Sequence, residues 1–307
     1  MEKYIQQIRD LINEPRKRYH LLKNVGLWHQ LCSSMDVIED TDSAIQFYKM
    51  QKFPKVVGGG YLMVCGVLQA LFLQQDAVKH LCESLELYYN ITNEELKNVR
   101  EIRNDSIGHP TKRDGGKSYH FISRITISKD GFQLMSWNKN KNIVFKDIVI
   151  VDLLNAQSRN ITVILKDVIK KLKDEDKKHK EKFCMDKLKD VFSQVHYDIQ
   201  KVHEGLSKPK YIPISKISLQ MINECLTKFE NKLNERGISL DTYDSIKDIY
   251  VLLKYPLFEL SRFFLKTKKN IKMNIDKETA FIFWYFVREH IEKLEELAKE
   301  IDEEYIK

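Results

Sequence analysis

The feature that most constrains the fold is a long apolar stretch at 61–87. Leu62, Val64, Cys65, Leu68, Leu71, Phe72 and Leu73 recur at helical spacing and form a wide apolar face. Gln74, Gln75, Asp76 and Lys79 then restore polarity. The pattern predicts a helix that buries most of its circumference. Only 11 glycines and 6 prolines punctuate 307 residues, while 14 Tyr and 15 Phe are available to fill a core. That balance favours long helices over loop-rich β architecture. A chain of this length makes one or two domains.

Gly58, Gly59 and Gly60 precede this helix. No Gly-Lys-Ser/Thr follows, so a P-loop is excluded, and the glycines read as a loop or the tight start of a helix. Thr92 is expected to open the next helix through a capping box with Glu95. Leu96, Val99 and Ile102 supply its buried stripe. Gly108 is placed to end it in the left-handed conformation, and Pro110 prevents its resumption.

After Lys117 the period changes. Phe121, Ile125 and Ile127, a Ser128-Lys129-Asp130-Gly131 turn, and apolar runs at 132–137 and 143–150 predict a three-stranded antiparallel meander over 119–150. The last two strands are joined by a polar turn at 138–142. Helices resume near Val151. Residues 167–189 are dense in Lys, Asp and Glu, which reads as a solvated helix face. A basic RNA surface made of Lys170, Lys171, Lys173, Lys177 and Lys178 is the sharper reading, weakened by Asp174, Glu175 and Asp176.

Residues 203–209 read as a linker. Beyond it, Ile222, Cys225, Leu226, Phe229 and Leu233 form a stripe stopped by Gly237. Pro256 is expected to divide 241–269 into two helices, and 277–306 to form one long terminal helix. The expected architecture is therefore mainly α. A helical region at 1–118 and charged helices at 151–204 make a first domain with the meander inserted, and 205–307 make a C-terminal helical domain.

The formal charge is +7, from 51 Lys and Arg against 44 Asp and Glu, which permits an anionic partner without requiring one. Five scattered cysteines without a CxxC argue against a disulfide framework or a zinc site. Reduced thiols, a charged N-terminus where a signal peptide needs an apolar run, and no uncharged stretch of about 18 apolar residues predict a cytoplasmic protein with no membrane partner.

The chemistry concentrates in Ile102-Arg103-Asn104-Asp105-Ser106-Ile107-Gly108-His109-Pro110. Arginine forks onto phosphate oxygens, and histidine exchanges a proton near neutral pH. Together they are the minimum equipment for cutting RNA without a metal. On a continuous helix, a separation of six residues would point Arg103 and His109 about 120° apart. A helix that stops near Gly108 can turn His109 back toward the arginine.

The segment resembles the Arg-x4–6-His signature of HEPN domains, many of which are ribonucleases: five residues separate Arg103 from His109, and the polar Asn104 follows the arginine. The resemblance covers the N-terminal helical part and implies a HEPN-like helical bundle. It also implies a homodimer in which two motifs line one cleft. His109 would then act as general acid or base. Arg103 would bind and stabilise the scissile phosphate, and Asn104 would orient either. Attack by the RNA 2′-hydroxyl would leave a 2′,3′-cyclic phosphate without any metal or cofactor. A toxin or antiviral abortive-infection role follows from the family alone, with RNA target, activator and antitoxin unnamed.

Lys112 and Arg113, and the cluster Arg16, Lys17 and Arg18, are candidate RNA contacts. Lys266–Lys272 is a further basic cluster. His120 lies close after the motif and is a candidate for the rim of the cleft. His196 and His203 share one helical face without supporting carboxylates. The alternative is a non-catalytic HEPN-like module that binds RNA or protein. In it Arg103 serves the helix dipole, His109 fills a turn and Asp105 pairs with a nearby cation.

Overall fold

A computed structural model describes residues 1–87, 93–113, 115–138, 141–265 and 275–306. The protein is mainly helical with one small antiparallel sheet. It divides into two compact units, Met1–Glu14 with Leu21–Lys173, and Pro15–His20 with Asp174–Lys307.

The first unit holds α1 (Glu2–Ile12), the end of α2 (Pro15–Leu22), α3 (Val25–Met50), α4 (Val57–Ser84) and α5 (Glu94–Arg103). The strands β1 (Ser118–Ile122), β2 (Gly131–Asn138) and β3 (Lys141–Val149) follow, and then α6 (Ile150–Phe183) as far as Lys173. One core cluster joins Ile5, Ile8 and Ile12 of α1 to Met35 and Ile38 of α3, Val78 and Leu81 of α4, and Ile161 and Leu165 of α6. A second joins Val64, Leu68 and Leu71 of α4 to Val99 and Ile102 of α5, with Phe132, Leu134 and Ile148 from the sheet. The sheet is therefore part of this core. Its strands run in the order β1-β2-β3, with Phe121 opposite Met135 and Phe132 opposite Ile148.

The apolar stretch at 61–87 is α4, and the three glycines form its first turn. The expectation that no uncharged apolar stretch is long enough to cross a membrane is corrected: α4 is long and apolar enough, by length and composition, to do so. In this unit it is a core helix. Gln74 and Gln75, expected to return α4 to solvent, are instead buried. Gln75 donates to Gln157 Oε1 at 2.8 Å and to the Leu96 carbonyl at 3.2 Å, and Gln157 donates to Gln74 Oε1 and the Leu71 carbonyl. Gln74 Nε2 and Gln75 Oε1 find no partner among the described residues, while the bonds shared with Gln157 offset part of the cost of burying the amides. Residue polarity alone does not reveal such a partner.

Thr92 lies outside the described residues, as do the tip of the turn at 139–140 and the basic cluster Lys266–Lys272. The side chain observed capping α5 is Asn93, whose Oδ1 accepts from the Glu95 and Leu96 backbone N–H groups. Glu95 turns to Arg159 and Asn160.

The second unit contains α7 (Val195–Ser207), α8 (Ile212–Glu235), α9 (Asp244–Phe264) and α10 (Lys277–Glu304), around Phe192, Phe229, Leu260 and Ile291. Gly237 ends α8 at φ +71, with the Ile238 N–H on the Leu233 carbonyl, as its position after the stripe predicts. Two expectations are corrected. Residues 203–207 are not a linker but the end of α7, and the division between units falls at Lys173/Asp174 inside α6. Gly205 is there because a Cβ would strike the Ser215 side chain on α8. Pro256 does not split a helix: it is buried within the continuous α9. The missing N–H is tolerated where packing holds the flanking turns.

Candidate active site

The motif sits where α5 ends against α4. Gln69, Phe72 and Asp76 lie at positions i, i+3 and i+7 on α4, one face of the helix. Arg100 and Arg103, one turn apart on α5, meet that face. Arg100 donates to Asp76 Oδ1 at 2.6 Å, and both guanidinium groups lie 4.2 Å from the Phe72 ring centroid. Arg103 donates through Nε and Nη2 to Gln69 Oε1 at 3.2 and 2.7 Å, and through Nη1 to Asn104 Oδ1 at 2.9 Å. A guanidinium has five N–H donors. Three are engaged and two have no partner among the described residues.

The left-handed glycine expected at 108 is not found. The chain instead widens into a π-helical turn over Asn104–Gly108, and the His109 N–H donates to the Asn104 carbonyl at 2.9 Å. Gly108 has a different role from the one expected. A Cβ there would lie 2.7 Å from Arg103 Nη1 and 3.2 Å from Asn104 Oδ1. Lacking one, Gly108 lets the guanidinium lie directly over the backbone that leads into His109. His109 is exposed. Arg103, Asn104 and His109 are thus held around one turn, with the arginine fixed and the histidine at the surface.

Behind this turn, Asp105 forms an ion pair with Arg113, and His120 Nε2 lies 3.6 Å from the same carboxylate. His120 Nδ1 is 2.9 Å from Ser136 Oγ. The His120 N–H donates to the Pro110 carbonyl at 2.8 Å, tying β1 to the motif loop.

The candidate RNA contacts fare unequally. Lys112 is exposed, whereas Arg113 is committed to Asp105. Arg16 pairs with Asp176 at 3.6 Å and Lys17 with Glu175 at 2.8 Å, while Arg18 is exposed. These three belong to the second unit, and the motif belongs to the first. Lys170, Lys171, Lys173, Lys177 and Lys178 all face solvent on α6, and Lys177 approaches Glu181. His196 is bound to Glu295 and His203 stacks near Trp284, so the two share no ligand site. All five cysteines are free thiols. Burial pushes Cys82 and Cys225 up to about 11, which makes them poor nucleophiles.

An open cleft of about 670 Å³ adjoins the motif loop. Val57, Gly58 and Tyr61 of α4 form one wall, Ser106, Pro110 and Thr111 another, and His120, Phe121, Ile122 and Arg124 the third. His120 borders this cleft, whose lining does not include Arg103, Asn104 or His109. Burial raises the Tyr61 phenol, with the nearby Arg124 acting in the opposite sense.

Residue-level reading missed Gln69, Ser106 and Arg124. Gln69 and Asp76 flanking Phe72 at helical spacing was the available signal for a face that receives arginines. Compared with known proteins, the chain matches no protein family, no curated protein and no solved structure.

Proposed function

We propose that the protein is a HEPN-like, metal-independent endoribonuclease. The observation that carries this reading is the state of Arg103. It is held by Gln69, Asn104 and Phe72, has two N–H groups without a partner among the described residues, and lies over Gly108, the residue before the exposed His109. A preoriented cation next to a group that exchanges protons is what transesterification at a phosphodiester requires. In this scheme His109 moves the proton of the 2′-hydroxyl or of the leaving 5′-oxygen. Arg103 stabilises the charge on the phosphoryl oxygens, and Asn104 holds the guanidinium in register. The reaction leaves a 2′,3′-cyclic phosphate and spares DNA. One chain carries one motif, so the family pattern calls for a two-fold dimer that brings two motifs together. A toxin or abortive-infection role, acting in the cytoplasm, is the setting the resemblance suggests.

A second reading draws on the same contacts. Arg103 and Arg100 clamp α5 to Phe72, and that is also what a purely structural motif would do. The protein would then be a non-catalytic module that binds RNA or protein.

Cleavage of structured and unstructured RNAs by wild type, Arg103→Ala and His109→Ala separates the two. The first reading expects each variant to lose about a hundredfold or more in rate, with wild-type cutting retained in EDTA and cyclic-phosphate ends. Variants that cut as well as wild type overturn it. His109→Ala is the more diagnostic, since an exposed side chain contributes little to folding.

A further inference from the structure

We infer that the cleft between the start of α4, the motif loop and β1 is a binding site for a nucleoside monophosphate, free or as one residue of an RNA chain. The inference does not depend on Arg103 and His109 being catalytic.

Three observations converge. The first is the N-terminus of α4, a 28-residue helix whose residues Val57 and Gly58 line the cleft. Its cap, Val56, offers no side-chain oxygen, and its first turn carries no acidic residue. Its first N–H groups therefore await an acceptor, and the helix dipole favours an anion there. Nothing lies within 4 Å of where a Gly58 Cβ would be, so the approach is open.

The second is Ser106. It lines the same cleft, is 2% exposed, and its Oγ has no hydrogen-bond partner among the described residues. A hydroxyl buried in that state costs free energy until a ligand satisfies it.

The third is charge. Arg124 lines the cleft, is exposed, and makes no ion pair among the described residues. None of the described residues lining the cleft is acidic. Asp105, next to Ser106 in the motif loop, is paired with Arg113.

The rest of the cleft argues for more than a bare phosphate. Its volume of about 670 Å³ is in the range of small-molecule sites. Val57, Pro110, Phe121 and Ile122 give it apolar walls, and Phe121 is 51% exposed, a ring on which a base can stack. The phosphate would sit at the α4 N-terminus with Arg124 and Ser106, and the base against Phe121.

Calorimetric titration of the full chain with uridine 3′-monophosphate, uridine and inorganic phosphate tests this. The nucleotide should bind at least tenfold tighter than either fragment. Arg124→Gln and Gly58→Asp should each weaken it tenfold or more, with Ser106→Ala a smaller loss. Arg124 and Gly58 are exposed, and unchanged thermal unfolding would show that both variants fold. A uridine hexamer that competes with the nucleotide identifies an RNA subsite, and one that does not identifies a free nucleotide as the ligand. No saturable binding at millimolar nucleotide overturns the inference. So does equal affinity for inorganic phosphate, or equal affinity in the Arg124 and Gly58 variants.

Discussion

Gly108→Ala isolates the geometry on which the motif depends. The backbone at 108 does not have positive φ, so alanine fits the chain conformation there. Replacing glycine by alanine in such a place ordinarily stabilises a protein by about 0.4–1 kcal/mol. Here the new methyl would lie 2.7 Å from Arg103 Nη1. The guanidinium cannot yield freely, because Gln69 and Asn104 hold three of its N–H groups and Phe72 backs it. Its displacement should sacrifice at least one charged hydrogen bond, about 1.5–3 kcal/mol. The net expectation is a loss of about 1–2 kcal/mol in urea unfolding. On the proposed function, cleavage should fall on the order of tenfold to a hundredfold, as small misplacements of a catalytic group commonly cause. Gly66→Ala is the control. It lies on the exposed face of α4 with nothing within 4 Å of the new Cβ, and should stabilise by about 0.4–1 kcal/mol. A Gly108→Ala protein as stable and as active as wild type would refute the claim that Arg103 is held against residue 108.

Three further outcomes are expected. On the proposed function, Lys112→Ala should weaken RNA binding and flatten its salt dependence without changing Tm, whereas Arg113→Ala should lower Tm, because it strips Asp105 of its ion pair; identical behaviour of the two in filter-binding and melting assays would contradict this assignment. Gly205→Ala should cost about 1–3 kcal/mol by overpacking against Ser215, read from chemical denaturation. The third concerns His179, which desolvation, with Arg16 and other cations adding to it, pushes down to about 4. The unfolded chain takes its proton near 6.5 and the folded one resists until about 4, so stability should fall as pH drops through that window. The full shift would correspond to about 3 kcal/mol, and partial exposure reduces this to about 1 kcal/mol. His179→Gln should flatten the Tm profile between pH 6.5 and 4.

What the sequence determines by itself here is local. The apolar periodicity of α4, the stripe at Leu96, Val99 and Ile102, the change of period after Lys117 and the stop at Gly237 all mark their elements, because helix and strand periods are properties of neighbouring residues. That the helix would not continue through His109 was legible for the same reason, though it ends in a π turn rather than a left-handed glycine. Tertiary structure alone decided which partners these residues meet. Gln74 and Gln75 are interior and each shares one hydrogen bond with Gln157, more than 80 residues away. Arg113 is paired with Asp105, and Arg103 owes its position to Gln69 on another helix. Gly205 and Pro256 imitate a linker and a break, yet lie inside helices, because close packing against α8 and burial outweigh local propensity. Hydrogen bonding and packing act across sequence distances that no local period records.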